Sequence, residues 1–286
     1  MATMLELKGR IGSVSSTQKI TGAMKMISSA KLQKAESLLT HARPFRSQLQ
    51  NTINNLLSTG EGYLSPLSEE RPLHKAAIVI FGSNEGLCGA FNSMASGLLS
   101  QKTTELKRQG ASSVTVYVIG KKIKSFVSKI KGIELADTSY FSSQSGAASI
   151  KQLAEELMSK FLGKEYDRVE VIYYRFKSIS SQKLTDETFL PIQVEADDTP
   201  VVNNDYIFEP DSKTIYQTIL PLFVHATLYD DWLQNQTSEQ AARIIAMQTA
   251  NDNANKLLEE LQLDYNKLRQ QNITNELLDI AGGSIR

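Results

Sequence analysis

A chain of 286 residues, of which 41% are hydrophobic, can bury one or two substantial cores, which excludes a disordered protein. Its 31 basic residues balance 31 acidic ones, so the net charge indicates neither a general nucleic-acid surface nor an anionic-membrane surface. A single cysteine, Cys88, excludes an internal disulfide, and the three scattered histidines lack metal-ligand spacing, so we expect no cofactor and no metal site. The start "MATMLELKGR" lacks the apolar region of a signal peptide, and no window of about 18 residues is continuously apolar, so we expect neither a signal peptide nor a spanning helix.

The first segment, residues 1–58, is predicted to be one long helix, because residues 23–43 contain neither Gly nor Pro. Apolar residues spaced by three and four predict a seam against a second helix, with Met24 and Ile27 continuing it toward the N-terminus. The residues of this predicted seam are Leu38, Ala42, Phe45, Leu49, Thr52 and Leu56. Pro44 lacks a backbone donor, so we expect a bend or a break there.

Residues 59–75 collect Gly, Pro and charge and are predicted to be a linker. Residues 76–210 then alternate short apolar runs with helical stretches, which predicts a central, Rossmann-like α/β domain with a doubly wound, mostly parallel sheet. The strands are predicted in "AAIVIFG", "VTVYVIG", "DRVEVIYYRFKS" and "TFLPIQV". The helices are predicted at residues 90–108, 121–128 and 150–161.

The last segment, residues 211–286, is predicted to be a second long helix, with Asp211 or Ser212 as its N-cap and Gly282-Gly283 as its end. One seam of alternating three- and four-residue spacings persists along it for more than three heptads. It consists of Ile244, Met247, Asn251, Ala254, Leu258, Leu261, Tyr265 and Leu268. Within "AMQTANDNAN" we expect Asn251 to fix the register of the helix pair, and Asn253 and Asn255 to face outward as part of a weakly apolar surface.

The two long segments carry opposite charge. Residues 1–46 contain eight basic and two acidic residues, a net of +6, whereas residues 222–281 contain four basic and nine acidic residues, a net of −5. Such charges bias partner choice more than stability, because exposed ion pairs contribute only about 0–1 kcal/mol each. We therefore expect the two termini to pair with each other as an intramolecular coiled coil, with the α/β domain looped out between them.

Three local motifs each admit a functional and a structural interpretation. The glycines of "FGSNEGLCGAFN" match neither dinucleotide-binding nor P-loop spacing, so we favour a structural turn over a phosphate site. Cys88 within it is expected to be a small buried residue and not a nucleophile. The basic run "GKKIKSFVSKIK" is expected to be the solvated face of an amphipathic helix, not a nucleic-acid or lipid site.

Both ends of the chain resemble the gamma subunit of the F-type rotary ATP synthase family. The stretch "RIGSVSSTQKITGAMKMISSAKLQKAE" resembles its opening helix, and "SEQAARIIAMQTANDNANKLLEELQLDYNKLRQQNITNELLDI" resembles its closing helix. "GLCGAFN" is similar to the loop after the first strand of its central domain. The resemblance covers essentially the whole chain.

The resemblance implies that the terminal helices form a long antiparallel coiled coil inside a hexameric head of alpha and beta subunits. The α/β domain and the foot of the coil would sit on the c-subunit ring with the epsilon subunit. Proton flow would turn this shaft and change nucleotide sites on the beta subunits, so no catalytic residue is expected in this chain. By motif, the positions that would contact the beta subunits are Met24, Arg243, Arg269, Gln270 and Thr274. No nucleic-acid partner is expected. Association with a bacterial plasma (inner) membrane would be peripheral, through the complex, on its cytoplasmic side.

Two positions depart from the family's common pattern, namely Gly22, where Lys is common, and the Lys121-Lys122 turn. A cysteine pair for thiol regulation is also absent from the sequence. Two other classes of function remain open at this point: a nucleotide-binding α/β enzyme whose helical arms dimerise, and a static coiled-coil adaptor.

Overall fold

The computed structural model describes residues 3–58, 65–141, 146–193, 209 and 211–283, with Ser58 and residues 281–283 as backbone only. Two compact units divide the chain: Met1–Ala30 with Arg243–Arg286, and Lys31–Ala242. The five described helices are α1 (Met4–Ser58), α2 (Phe91–Arg108), α3 (Lys121–Val127), α4 (Ala147–Leu162) and α5 (Ser212–Gly283). The five described strands are β1 (Lys75–Phe81), β2 (Ser113–Ile119), β3 (Glu134–Leu135), β4 (Arg168–Ser178) and β5 (Ser181–Leu190). In this part of the chain, no helix is long and apolar enough to cross a membrane.

Part of the predicted linker, residues 59–64, lies outside the described residues, as do residues 194–208 and 210 at the end of the predicted central domain. The rest of the linker contains a 3-10 turn, Pro66–Ser68, in which the Ser65 hydroxyl accepts from the Leu67 amide at 3.3 Å. The predicted division at residues 58, 75 and 210 therefore stays a prediction.

In the first unit, α1 and α5 run antiparallel. Gln18 Nε2 donates to Asn255 Oδ1 at 2.7 Å, Asn251 Nδ2 donates to the Gln18 carbonyl at 2.9 Å, and Lys25 bonds to Gln248. Residue numbers thus rise along one helix as they fall along the other. The eight positions of the predicted α5 seam, from Ile244 to Leu268, are all buried or half-buried, so that prediction is confirmed.

The predicted α1 seam is confirmed in part. In the first unit, the buried or half-buried positions of α1 that recur at spacings of three and four are Leu7, Ile11, Val14, Gln18, Thr21, Lys25 and Ser28. In the second unit they are Leu32, Ala35, Leu39, Ala42, Arg46, Leu49, Ile53 and Leu56. Ala42, Leu49 and Leu56 were predicted correctly, whereas Leu38 and Phe45 are 43% and 57% exposed, and Ile27 is also exposed. The places predicted for Leu38, Phe45 and Thr52 belong to Leu39, Arg46 and Ile53.

Of the bend or break predicted at Pro44, the break is wrong, because α1 continues through Pro44. Pro44 lies on the exposed side of the helix, where the Thr40 carbonyl that loses its amide partner can face water. At the start of α5, Asp211 is the cap as predicted: its carboxylate accepts from the Thr214 amide at 2.8 Å and from the Thr214 hydroxyl at 2.7 Å.

The sheet of the second unit has the order β3-β2-β1-β4-β5. β1 runs parallel to both β2 and β4, β2 runs parallel to β3, and only the β4–β5 pair is antiparallel. Side chains of β1 alternate between two cores, because successive residues of a strand point to opposite faces. Ala77, Val79 and Phe81 pack with α4 and the second-unit parts of α1 and α5. Ile78 and Ile80 pack with α2 and α3, which makes the sheet doubly wound and mostly parallel, as predicted.

The last strand lies earlier in the chain than "TFLPIQV" predicted. β5 begins at Ser181 and pairs with β4 as a hairpin, and it ends at Leu190 because Pro191 has no amide to continue the ladder. The short edge strand β3 was not predicted, since its two residues are both exposed.

Candidate functional site

The five predicted contact residues lie in the first unit but do not form one cluster. Met24 is half-buried on α1, beside Lys25, which bonds to Gln248 of α5. Arg269, Gln270 and Thr274 are exposed near the end of α5, and the Thr274 hydroxyl donates to the Gln270 carbonyl at 2.9 Å. The 24 residues that separate Gln248 from Asn272 span about 36 Å at 1.5 Å per residue. Met24 therefore lies far along the helix pair from Arg269, Gln270 and Thr274.

Arg243 differs from the other four predicted residues because its side chain is only 2% exposed. It is the first residue of the α5 part of the first unit. A buried guanidinium is retained only where its charge and donors are satisfied. Little of Arg243 is thus available to touch a second chain.

The helix pair of the first unit is held in its middle by hydrogen bonds as well as by buried apolar residues such as Met247 and Ala254. Asn251 Nδ2 donates to the Gln18 carbonyl and lies 3.4 Å from the Thr21 hydroxyl, as expected for a residue that fixes register. Asn255 was expected to face outward, but its side chain accepts from Gln18 and donates to Asn251. Of the two asparagines proposed for the outer surface, only Asn253 is exposed.

The outer surface of this helix pair is only locally polar. The stretch of α5 around Asn253 exposes Thr249 and Asp252 as well. The neighbouring helix nevertheless exposes large apolar side chains, with Ile20 at 58%, Met26 at 69% and Ile27 at 57%. A weakly apolar surface is therefore a property of one stretch of α5 and not of the whole pair.

The far end of α5 is an apolar surface that the sequence reasoning missed. Asn272 Nδ2 lies 3.2 Å from Met4 Sδ, at the first residue of α1, so residues 273–280 lie beyond the N-terminal end of that helix. Leu277, Leu278 and Ile280 are 61%, 63% and 70% exposed. Apolar residues spaced by three and four past the last seam position were the available signal. Clustered exposed apolar residues mark an interaction site.

The glycine-rich loop after β1 is tied down by its own side chains. Asn92 accepts from the Ser83 amide at 3.0 Å and donates to the Ser83 hydroxyl at 2.7 Å, and that hydroxyl donates to the Glu85 carbonyl. Cys88 is 4% exposed, with its Sγ 3.7 Å from both the Ser83 hydroxyl and Asn92 Nδ2. The structure thus matches the interpretation of a structural turn around a small buried cysteine.

In open α/β sheets, ligands bind outside the carboxyl ends of the strands. Here Trp232 and Asn235 of α5 line that crevice together with Gly82 and Gly120, and the remaining cavity measures about 230 Å³. Pockets for drug-sized ligands usually measure about 300–1,000 Å³. The chain's own helix therefore fills the place where a nucleotide-binding enzyme would hold its ligand.

The basic run forms α3, in which Ile123 and Val127 are fully buried while Lys121, Lys122 and Lys124 are exposed. Gly82 must lack a side chain here, because a Cβ at that position would lie 2.5 Å from Ile123 Cβ. The lysines are a solvated helix face, as predicted. Across the part of the chain that the structure describes, no group of three or more His, Cys, Asp or Glu side chains could hold a metal ion.

A second cavity, of about 480 Å³, lies between β4, β5 and the second-unit parts of α1 and α5. Its polar lining includes Arg46, Arg175, Glu187 and the fully buried Asp231. Burial raises the pKa of the Asp231 carboxyl to about 8, although Arg46 opposes the shift. The neighbouring Asp230 accepts from Arg46 Nη1 at 2.9 Å. The sequence showed these carboxylates only as members of an acidic helix.

The profile of a family described as ATP synthase matches residues 3–285. The chain is 42% identical over 289 residues to a protein named ATP synthase gamma chain from Bacteroides fragilis, with all of both chains covered. It is 40% identical to the gamma chain of Phocaeicola vulgatus, again over the full length of both. A third such gamma chain, from Flavobacterium psychrophilum, is 39% identical over 99% of this chain and 98% of that one. The chain belongs to the ATP synthase gamma-chain family.

Solved structures show the same fold. The central stalk of the Tetrahymena thermophila mitochondrial ATP synthase gives a TM-score of 0.61 at 22% identity, covering 81% of this chain and 99% of that one. The rotor of the Euglena gracilis mitochondrial ATP synthase gives 0.60 at 19% identity, covering 94% and 98%. The gamma-chain fold is therefore retained at low sequence identity.

Proposed function

We propose that this gamma chain is the central rotor shaft of an F-type ATP synthase, coupling proton flow through a membrane ring to conformational change and ATP synthesis or hydrolysis at the beta subunits. The observation that carries the proposal is the antiparallel pairing of α1 and α5 in the first unit, in a chain whose relatives are gamma chains over their full length. The chain itself is a non-catalytic subunit.

The proposed partners are the alpha and beta subunits of the catalytic head, the epsilon subunit and the c-subunit ring. The exposed apolar end of α5, residues 273–280, supports a contact with the head, because such a surface requires a partner to be shielded from water. The chain would be a peripheral component of a membrane-bound complex, on the cytoplasmic side of the plasma membrane.

Met24, Arg243, Arg269, Gln270 and Thr274 are proposed as contacts with the beta subunits. The exposure of the last three supports this role directly, since their side chains are free to reach another subunit. The Met24 side chain is partly exposed, which gives this role partial support. Arg243 has the weakest support, because it is nearly fully buried.

Reconstitution tests the proposal. The chain is mixed with a purified hexamer of alpha and beta subunits from a gamma-chain relative's enzyme, and co-elution and ATP hydrolysis are measured. We expect a stable complex whose hydrolysis rate exceeds that of the hexamer alone. The isolated chain, titrated with ATP in a calorimeter, should show no binding.

Micromolar ATP binding by the isolated chain would instead support the nucleotide-binding enzyme. A complex that co-elutes and hydrolyses ATP while the chain does not rotate relative to the hexamer would support the static adaptor.

A further inference from the structure

Strand β4 continues past the end of its neighbour β1. The two strands pair in parallel from Ala76 opposite Arg168 to Ile80 opposite Ile172, whereas β4 runs on to Ser178. On its other edge β4 stays paired with β5, as far as Ser178 opposite Ser181. The β1-facing edge of β4 after Ile172 therefore needs other partners for its backbone groups, which are costly to bury unpaired.

Two side chains of α5 supply those partners at Tyr174. Asn235 Oδ1 accepts from the Tyr174 amide at 3.2 Å, and the Ser238 hydroxyl donates to the Tyr174 carbonyl at 3.0 Å. Asn235 Nδ2 also lies 3.5 Å from the carbonyl of Gly82, the residue that follows β1. Asn235 and Ser238 are three residues apart and so share one helix face. Together they attach α5 to the sheet as a further strand would.

The attachment is buried and its sheet side is rigid. Asn235 is 2% exposed and Ser238 is fully buried. The Tyr174 ring stacks on Phe91 with 4.1 Å between ring centroids, and its hydroxyl donates to the Phe91 carbonyl at 2.9 Å. Tyr174 is thereby fixed to the first turn of α2 as well as to α5.

Hydrogen bonds hold a helix in a way that apolar packing does not. Apolar burial is non-directional, so it opposes small rotations and shifts of a helix less sharply than a directional contact does. Hydrogen bonds weaken steeply as their angles depart from linear. A pair of bonds from one helix face to one strand residue therefore fixes both the rotation and the register of α5 on the sheet.

We infer that the hydrogen bonds of Asn235 and Ser238 to β4 transmit torque between the α/β sheet and α5. The inference rests on the proposed function as a rotor shaft. It assigns positioning roles to two residues that make no contact with a reacting group. It also assigns a structural role to the crevice at the carboxyl ends of the strands, which α5 occupies.

The test measures torsional stiffness in the assembled complex. The chain carries Ser100→Cys on the exposed side of α2 for attachment of a bead, while buried Cys88 is shielded from labelling. The head is fixed to a surface and locked with an ATP analogue that is not hydrolysed. The angular fluctuations of the bead are compared for the parent chain, Ser238→Ala, and Asn235→Leu with Ser238→Ala.

Thr237→Val is the matched control. Thr237 is fully buried in the same turn, but its hydroxyl donates to the Leu233 carbonyl of its own helix at 2.8 Å and not to the sheet. It therefore reports the effect of removing a buried hydroxyl from this turn without removing the attachment to β4.

We expect the angular variance of the bead to rise about twofold or more in the double variant, because both strong bonds to the strand are lost. Thr237→Val should match the parent, and hydrolysis without a load should be unchanged in all variants. Equal variance in the double variant and Thr237→Val would overturn the inference. If the double variant does not assemble, the same comparison is made with Ser238→Ala alone. A parent chain whose bead does not turn when ATP is supplied would refute the rotor function itself.

Discussion

Asp231 is a buried carboxyl whose surroundings change its protonation. Its carboxyl is fully buried, and burial raises its pKa from an ordinary value near 4 to about 8, with Glu187 and Asp230 adding to the shift and Arg46 opposing it. Because the folded pKa lies above the unfolded one, the folded chain holds a proton that the unfolded chain has released between about pH 4 and pH 8. Asp231 therefore lowers the stability of the folded state as the pH rises through that range.

Replacing Asp231 with Asn should remove this dependence, because the amide resembles the protonated acid at every pH. The free energy of unfolding of Asp231→Asn, relative to the parent chain, should rise between pH 5 and pH 8 by at most about 1.4 kcal/mol per pH unit. Urea unfolding at several pH values measures the difference. A difference that is constant with pH would show that Asp231 is ionised in the folded protein.

Met24 tests the proposed contact with the beta subunits. Its side chain is half-buried on α1, and Met24→Lys would place an ammonium group where the shaft meets the head. An unpaired charge buried at a contact costs about 3–5 kcal/mol, so we expect ATP yield per transported proton to fall while ATP hydrolysis continues. Met24→Leu, which keeps an apolar side chain, is the control. Unchanged yield in Met24→Lys would remove Met24 from the contact.

At the scale of elements, the sequence predicted the whole seam of α5 but only part of the seam of α1. The α5 seam is mostly apolar, so spacing alone locates it. On α1, polar Gln18, Lys25 and Arg46 occupy seam positions because each finds a bonding partner on α5. Apolar spacing could not find positions whose burial depends on hydrogen bonds to a distant part of the chain.

Only the last three residues of β5, Thr188 to Leu190, lay in a predicted strand, and the reason is related. Its exposed positions carry Ser, Lys and Asp, and only its last two residues are fully apolar and buried. A hairpin edge strand is stabilised by its ladder with β4, which no local pattern in the sequence displays.

Asn253 tests whether the polar face of α5 serves rotation. It is exposed in the middle of the first unit, where a shaft would turn inside its housing. Asn253→Leu would add an apolar contact that must be broken at each turn, so we expect slower rotation at saturating ATP. Asn253→Gln keeps the amide and should rotate at the parent rate. Equal rates for Asn253→Leu and the parent would show that this face does not limit rotation. Asn255 is unsuitable for this test, because its bond to Gln18 belongs to the helix pair.

At the scale of the whole molecule, residue patterns established two long terminal helices, a mostly parallel sheet between them and their mutual pairing. The long terminal motifs indicated the family, and the full-length relatives confirm it. The role of α5 in the strand crevice lay beyond the sequence, because Asn235 and Tyr174 are 61 residues apart and neither belongs to a ligand motif. The apolar residues at the end of α5 can be read from the sequence. Their exposure cannot, because it depends on where α1 begins.

The most direct measurement is rotation in a single reconstituted complex. A bead is attached through Ser100→Cys on α2, the head is fixed to a surface, and ATP is added. We predict continuous rotation of the bead in one direction, which stops when ATP is removed. A bead that stays at one angle while the same complex hydrolyses ATP would contradict the proposal that this chain is a rotor shaft.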